Sequence, residues 1–273
     1  MSTADAASLR FQHRLFFREL GTLFPETIPL GEVAHVLDLS CGPGAWLIEV
    51  AQTYPHMHGI GVEQKPELLY TAREDAQIAH TNGAAFELVK QYERLPYLDN
   101  SFDFIHIQRS SAAITPRKWP SVLRELARVL RPGGWLHFLD FEIGPTSSAA
   151  LNTFIDYLRV SHLKTKRVFS AESLALTSAV LFPRLLKESG WVETSYTLHA
   201  VDIGNQLGSA GKDYIFSVLT EDTRIVQYLV AAGVVTQAEI ERVVATIRQD
   251  VVRLKYCATG MLISVVSRKP EEK

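Results

Sequence analysis

Apolar positions recur along the chain with two different periods, which predicts strands separated by helices. Short apolar runs predict strands over 33–39, 58–63, 85–89, 102–107 and 135–141. Apolar residues at helical spacing predict intervening helices over 45–54, 66–80 and 119–130. Strands that alternate with helices of about 10–15 residues form right-handed βαβ units, so these elements predict a parallel sheet.

The pattern changes on both sides of this region. Leu9, Phe16, Leu20 and Leu23 fall at helical spacing and predict an amphipathic helix over 6–24. Beyond residue 143, the pattern predicts loops at 144–148 and 204–212, strands over 191–203 and 261–267, and helices over 149–160, 171–189, 213–232 and 236–254.

We therefore expect an α/β fold of the Rossmann-like, doubly wound type. Its sheet is predicted to be mostly parallel and seven-stranded, with an N-terminal helical arm and helical cap insertions. Residues 1–30 form the arm in this prediction, and residues 31–142 form the Rossmann-like core. Residues 143–273 supply the remaining core strands, with cap insertions at about 143–170 and 205–255.

The most informative stretch is VLDLSCGPGAW, residues 36–46, in which a strand runs through a glycine turn into a helix. Gly42 and Gly44 let a ligand approach the backbone, and the start of the helix offers free N–H groups. In α/β sheets, nucleotides bind at the carboxyl ends of such strands. The stretch therefore predicts a nucleotide-type site.

A dinucleotide dehydrogenase is the obvious rival, because its G-x-G-x-x-G fingerprint begins in the same way. The third glycine of that fingerprint allows close packing of helix on strand, but Leu47 stands here, between Trp46 and Ile48. Asp38, which precedes the turn, suits a cationic ligand better than one that carries phosphates. The residues therefore disfavour a dinucleotide.

Three further motifs follow this turn. Glu63 ends the second strand about 20 residues past the glycines, where an acid suits a ribose diol. The stretch QYERLPYLDNSFD, residues 91–103, follows the third strand, and Arg131-Pro-Gly-Gly134 precedes the fifth. Together these motifs resemble those of the class I S-adenosylmethionine (SAM) dependent methyltransferases of the small-molecule, secondary-metabolite type.

The resemblance implies SAM as the cofactor. Gln91 stands where the family has an acid for the adenine amino group, and its side-chain carbonyl can still accept from that amine. Leu9 to His13 is similar to the arm that lies over SAM in related enzymes, with Gln12 facing it. The implied cofactor-binding residues are Gln12, Asp38, Ser40, Cys41, Gly42, Gly44, Glu63, Gln64, Gln91, Tyr92 and Gln108.

Methyl transfer from a sulfonium is an in-line displacement, so the main task of the enzyme is to hold the acceptor close to the methyl group. A cap that excludes water also removes a competing nucleophile. A general base is needed only for some acceptor atoms, so a missing base motif does not argue against activity. The candidate catalytic residues, which are polar groups near the predicted pocket, are Gln108, Arg109 and His137.

Other features near the predicted pocket are less specific. Asp140 and Glu142 end the fifth strand, where catechol-type methyltransferases place metal ligands, but polar lining is the commoner role and we expect no metal. The basic run from His162 to Arg167 can hold a substrate carboxylate or phosphate, or can be a solvated loop. Aromatic residues around the cap, Tyr214 among them, favour a hydrophobic or aromatic acceptor.

Composition narrows the class of protein. The 273 residues are 47% hydrophobic and 21% charged, as in ordinary soluble globular proteins, and the net charge of −2 lacks the basic signature of nucleic-acid binding. Cys41 and Cys257 lie far apart, which favours a reducing compartment and no zinc site. Without a secretory signal or an apolar run of about 20 residues, we expect a cytoplasmic protein with no membrane partner.

We therefore interpret the sequence as that of a SAM-dependent methyltransferase acting on a small molecule, a specialised metabolite. Two alternatives stay open: an enzyme of the same fold that catalyses cyclisation or rearrangement, with or without methyl transfer, and a non-catalytic, partner-binding member of the fold. An RNA or protein methyltransferase is disfavoured because its motifs are missing. The N-terminal helix can cover its own site or swap onto a second copy, so a homodimer is also considered.

Overall fold

The strands of the sheet follow the predicted order of elements. A computed structural model describes residues 3–109, 113–167, 177, 179–204, 213–215, 223–253 and 255–271. Within these residues the strands are β1 (His35–Leu39), β2 (His58–Glu63), β3 (Ala84–Leu88), β4 (Phe102–Gln108), β5 (Leu130–Thr146), β6 (Val192–Asp202) and β7 (Ala258–Arg268).

These strands form one seven-stranded sheet in the order β3-β2-β1-β4-β5-β7-β6. Strands β1 to β5 pair in parallel, whereas β7 runs antiparallel to both β5 and β6. The chain reverses its direction of winding between β1 and β4, so the carboxyl ends of these two strands open a crevice. The predicted mostly parallel, doubly wound α/β fold is confirmed.

Helices connect these strands and cover both faces of the sheet. They are α1 (Thr3–Leu20), α2 (Ala45–Thr53), α3 (Pro66–Ile78), α4 (Trp119–Val129), α5 (Ala149–Lys164), α6 (Phe182–Glu188), α7 (Thr223–Ala231) and α8 (Gln237–Val251). Short 3₁₀ turns lie at Leu30–Glu32 and Ala179–Leu181. No helix in the described ranges is both long enough and apolar enough to cross a membrane.

The strands carry side chains into two separate cores, because successive residues of a strand point to opposite faces. Phe104 and Ile105 are both fully buried, one in each core. Phe104 packs with residues of α1, α2, α3, α5 and α8, whereas Ile105 packs with residues of α4 and α6. Near-continuous apolar runs in β1 and β4 are the expected pattern for strands covered on both faces.

The fifth strand is the main difference from the prediction. Leu130 is already extended and pairs with Phe102, and the next pair in register joins Trp135 to Phe104. The residues between them form a bulge in β5, with Gly133 at a φ of +71°. The run Arg131 to Gly134 therefore lies inside the strand instead of forming a separate turn before it.

The other end of β5 also extends beyond its predicted limit of residue 141. Ile143 still pairs with Gly260, and Thr146 pairs with Ala258, so the expected loop at 144–148 is largely strand. The same pairing lengthens β7 beyond the predicted 261–267. By contrast, α1 stops before the predicted residue 24, because Gly21 adopts a left-handed φ of +71° directly after it.

The predicted cap insertions are partly described. Helices α5, α7 and α8 contribute to one hydrophobic core, and the Tyr157 hydroxyl of α5 donates to the Glu239 carboxylate of α8 at 2.6 Å. The predicted helix over 171–189 appears as the 3₁₀ turn and α6, while residues 168–176 and 178 lie outside the described ranges. The predicted loop at 204–212 and part of the helix at 213–232 lie outside them as well. The domain boundaries therefore stay a prediction.

Candidate functional site

The turn after β1 contains two glycines, and each position favours glycine for a different structural reason. Gly44 begins α2 with a φ of +76°, and a Cβ built on it would lie 2.5 Å from a ring carbon of Phe86. A Cβ on Gly42, at a φ of +57°, would meet only the Leu9 side chain, at 3.8 Å. Gly44 is therefore required by packing, whereas Gly42 leaves its backbone open to a ligand.

Glu63, at the end of β2, is fixed against this turn. Its Oε2 accepts the backbone N–H of Gly42 at 3.1 Å, and its Oε1 accepts those of Gln64 and Lys65 at 2.8 and 3.1 Å. A carboxylate has about four lone-pair positions, so these three bonds leave capacity for a further donor. The buried carboxylate is thus held in one orientation beside the open backbone of Gly42.

Asp38 adds a second buried acid below the same turn. Burial is the main reason that its pKa lies well above the usual value, and the negative charge of Glu63 raises it further. No cation among the described residues offsets these two effects on Asp38. The same burial and the same two acids raise the pKa of the Cys41 thiol, which therefore stays protonated. A cationic ligand would relieve this concentration of negative charge.

The N-terminal helix α1 lies over the turn, as the Leu9 contact shows. An ion pair between Arg10 and Asp75 at 3.0 Å joins α1 to α3, and His13 Nε2 lies 2.8 Å from the Glu49 carboxylate of α2. Gln12 is buried between these contacts, and its Nε2 donates to Ser8 Oγ at 3.0 Å. The Gln12 Oε1 atom is buried and has no hydrogen-bond partner in the described structure. A buried acceptor of this kind indicates a missing donor.

The residues assigned to the adenine end lie at the carboxyl ends of β2 and β3. Gln64 Nε2 donates to the Lys90 carbonyl at 3.3 Å, which brings Gln64 next to the segment that contains Gln91. Gln91 itself is exposed, whereas the Tyr92 ring is buried in the second core. Ser40, directly after β1, holds a left-handed φ of +62°.

The structure brings two of the three candidate catalytic residues to the mouth of this crevice. Gln108 ends β4 opposite Leu139 of β5, and Arg109 follows with a left-handed φ of +52°. The Arg109 N–H donates to the Leu139 carbonyl at 2.9 Å, which fixes the backbone at this point. The Arg109 side chain is half-buried, and its Nη1 is buried without a hydrogen-bond partner in the described structure.

His137 lies elsewhere, in the middle of β5. Its Nδ1 is 3.1 Å from the Nδ1 of His106 on β4, and its Nε2 is 3.0 Å from Ser264 Oγ on β7. Burial lowers the pKa of His137 to about 3 and lowers that of His106 well below its usual value. Since both ring nitrogens of His137 have partners within the sheet, its geometry favours a structural role over the catalytic role expected from sequence.

Two contributors near the site were not singled out in the sequence. His106 stacks on Trp46 of α2, with ring centroids 4.2 Å apart, below the arm residue Phe17. Tyr214 was grouped only with other cap aromatics, but its buried ring lies edge-on to Phe141 with centroids 4.9 Å apart. Both contacts join segments that are distant in sequence, so periodicity carries no signal for them.

The remaining sequence candidates serve the fold. Glu142 accepts the Thr177 N–H at 3.0 Å, and Asp140 accepts the N–H of Phe141 at 2.9 Å. No group of three or more His, Cys, Asp and Glu side chains in the described ranges is arranged to hold a metal. In the basic run, the Arg167 guanidinium lies 5.7 Å above the Tyr228 ring, which attaches the end of α5 to α7.

Comparisons with known proteins agree with this geometry. Residues 36–134 match a family model described as a methyltransferase domain. The secondary metabolism regulator laeA of Aspergillus fumigatus is 32% identical over 110 residues, which are 40% of this chain and 27% of that protein. The demethylmenaquinone methyltransferase of Listeria welshimeri is 34% identical over 120 residues, which are 42% of this chain and 49% of that protein. The chain thus matches about a quarter to a half of these curated relatives.

A solved structure shares the fold over almost the whole chain. Phosphoethanolamine N-methyltransferase 2 of Haemonchus contortus, solved in complex with SAM, has a TM-score of 0.55 at 14% sequence identity. The superposition covers 98% of this chain and 57% of that one. Residues 36–134 thus match a methyltransferase domain and lie within a seven-stranded sheet, and both findings agree with the resemblance to class I SAM-dependent methyltransferases and with SAM as the cofactor.

Proposed function

We propose that this protein transfers the methyl group of SAM to a small-molecule acceptor, a specialised metabolite. The observation that carries the proposal is the acidic turn, in which Glu63 holds the Gly42 N–H beside the second buried acid, Asp38. Two buried carboxylates fit a ligand that is itself cationic, as SAM is through its amine and its sulfonium. Phosphate-bearing cofactors would be repelled by the same charges.

The other assigned residues fit the same ligand. The remaining acceptor position of Glu63 suits a ribose hydroxyl, and the unpartnered Oε1 of Gln12 suits a ligand donor beneath α1. The proposal assigns Gln64 and Gln91 to the adenine, and the bond from Gln64 to the Lys90 carbonyl, which brings these two residues near each other, supports that assignment. Ser40, Cys41, Gly44 and Tyr92 supply the backbone and the packing of the turn. When bound, SAM supplies an electrophilic methyl group on a good leaving group.

The residues at the acceptor side orient rather than exchange protons. Gln108 carries no proton to give or take near neutral pH, and a guanidinium such as that of Arg109 acts as a hydrogen-bond donor. Both ring nitrogens of His137 have hydrogen-bond partners within the sheet. The proposal therefore assigns catalysis to close approach and alignment of the acceptor, with α1 keeping water from the cofactor.

The metabolic setting rests on the names of the laeA relatives. A curated protein with 32% identity is named a secondary metabolism regulator, which supports specialised metabolism as the setting of this chain as well. The second candidate is a partner-binding protein that uses the fold without catalysis. The cyclisation or rearrangement alternative, the cytoplasmic location and the homodimer stay predictions.

One labelling experiment separates these functions. The protein is incubated with SAM tritiated on its methyl group, together with cell extract divided into a small-molecule fraction and a macromolecular fraction. We expect label to enter the small-molecule fraction. Label in protein or RNA contradicts a small-molecule acceptor. SAM binding without any transfer of label favours rearrangement or the partner-binding role.

A further inference from the structure

Arg109 is a charged residue at this site that is not among the residues assigned to SAM. It follows the last residue of β4, next to the crevice, and its left-handed backbone is fixed by the bond from its N–H to Leu139. Its Nη1 is buried and has no hydrogen-bond partner among the described residues. A buried donor on a permanent cation is costly to leave unsatisfied. Such a group indicates a ligand that supplies an acceptor.

Aromatic rings line the same place. The buried Tyr214 lies edge-on to Phe141, which in turn stacks on Phe16 of α1 with centroids 5.1 Å apart. Burial raises the pKa of Tyr214, and the positive charge of Arg109 acts against that rise, so the phenol and the guanidinium lie within electrostatic reach of each other. The Arg109 end of the crevice therefore combines one positive charge with an apolar, aromatic wall.

The charged residues around Arg109 limit the kind of anion that its guanidinium can bind. The negative charges of Asp140 and Glu142 also reach Tyr214, so the region around the guanidinium is not strongly positive. A phosphate would bring about two negative charges at neutral pH and meet repulsion from both acids. A carboxylate brings one charge, and its planar shape matches the fork of donors on a guanidinium.

We propose that Arg109 binds a carboxylate of the methyl acceptor, and that the acceptor is a small carboxylic acid with an apolar or aromatic body. This inference rests on the proposed function, because it places the acceptor beside the SAM site. It makes Arg109 a substrate-binding and orienting residue. It also predicts a preference for acids over their neutral amides.

The first test needs no substrate. In the unliganded protein, the buried Nη1 destabilises the fold, so Arg109→Met removes a penalty. We expect the Tm of Arg109→Met to stay equal to that of the wild type or to rise by about 2–4 °C. Arg117→Met, at an exposed arginine eight positions along the chain, serves as the matched control with an unchanged Tm. A clear fall in the Tm of Arg109→Met alone would show that the guanidinium already has a partner in the protein, and would overturn the proposal.

The second test uses paired probes. Benzoate, phenylacetate, cinnamate and salicylate, each with its carboxamide, are titrated into protein saturated with S-adenosylhomocysteine, and binding is followed by saturation-transfer NMR. We expect at least one acid to bind, its amide to bind at least tenfold more weakly, and Arg109→Gln to lose the difference while Arg117→Gln keeps it. Equal binding of acids and amides, or no acid binding at all, would overturn the inference.

Calorimetry with S-adenosylhomocysteine distinguishes a failure of the inference about Arg109 from a failure of the proposed function. If the wild type and Arg109→Gln bind it equally but no acid preference exists, the inference fails and the proposed function stands. If the wild type does not bind S-adenosylhomocysteine, both the proposed function and the inference fail.

Discussion

The Glu63 carboxylate accepts the backbone N–H of Gly42 at 3.1 Å, which ties the end of β2 to the turn after β1. The same carboxylate accepts the N–H groups of Gln64 and Lys65. One side chain thus organises the turn before any ligand binds. A preorganised acid loses little freedom when a ligand arrives, so its orientation contributes to affinity.

Glu63→Ala is expected to weaken SAM binding at least tenfold and also to lower stability. Alanine would leave three backbone donors without their acceptor, at about 1–3 kcal/mol for each one that water cannot reach. Urea unfolding and calorimetry with SAM measure the two effects. An unchanged midpoint and an unchanged affinity would contradict the role given to Glu63.

The two glycines of the turn are expected to respond differently to alanine. Gly44→Ala places a Cβ against Phe86 and forces alanine to a positive φ, so we expect a loss of about 2–4 kcal/mol in the free energy of unfolding. Gly42→Ala makes only an ordinary contact with the Leu9 side chain and is expected to cost about 1–2 kcal/mol from its backbone conformation. The Gly42 variant should still fold but bind SAM more weakly. Equal losses of stability would show that the two sites are packed alike.

Gln12→Leu, in the N-terminal helix α1, is expected to weaken cofactor binding without lowering the stability of the fold. Leucine keeps the volume but removes the buried Oε1 that has no partner, so the Tm should stay level or rise. SAM affinity should fall about tenfold, which corresponds to about 1.4 kcal/mol. Arg18→Gln, at an exposed position on the same helix, is the control. Unchanged affinity in Gln12→Leu would remove the arm from the cofactor site.

The His106–His137 pair is expected to make stability fall in acid. Both imidazoles have pKa values lowered by burial, so they stay neutral in the fold, whereas in the unfolded chain they take up protons below about pH 6.5. The unfolded state therefore binds more protons, and the free energy of unfolding falls with pH by up to about 1.4 kcal/mol per unit for each imidazole.

Chemical unfolding of the wild type and of His137→Gln between pH 7 and pH 5 checks this dependence. Asp38, whose pKa is raised, acts in the opposite direction in both proteins and cancels in the comparison. The difference in stability between the two proteins should narrow as the pH falls. A constant difference would show that His137 is already charged in the fold.

The sequence predicts most of what local pattern determines. Strand β2 lies at the predicted residues, and β1, β3 and β4 differ from prediction by one or two residues at their ends. Short apolar runs bounded by turn residues are strong local signals in a sheet covered on both faces. The turn at Gly42 and Gly44 was found for the same reason, because its conformation depends on the glycines themselves.

Features that depend on pairing across the sheet were not predictable. The bulge in β5 arises because Leu130 and Trp135 pair with residues only two apart on β4. His106 and His137 meet because β4 and β5 are adjacent and in register, which no period along one segment encodes. For the same reason His137 was predicted as a catalytic candidate, although its position in the sheet occupies both ring nitrogens.

Titration of the purified protein with SAM, by isothermal calorimetry, tests the cofactor site most directly. We predict micromolar binding by the wild type, binding at least tenfold weaker by Glu63→Ala, and unchanged binding by Glu67→Ala, which alters an exposed acid four positions further along the chain. Absence of binding by the wild type, or equal loss in both variants, would contradict the proposal that the acidic turn beside Gly42 holds SAM.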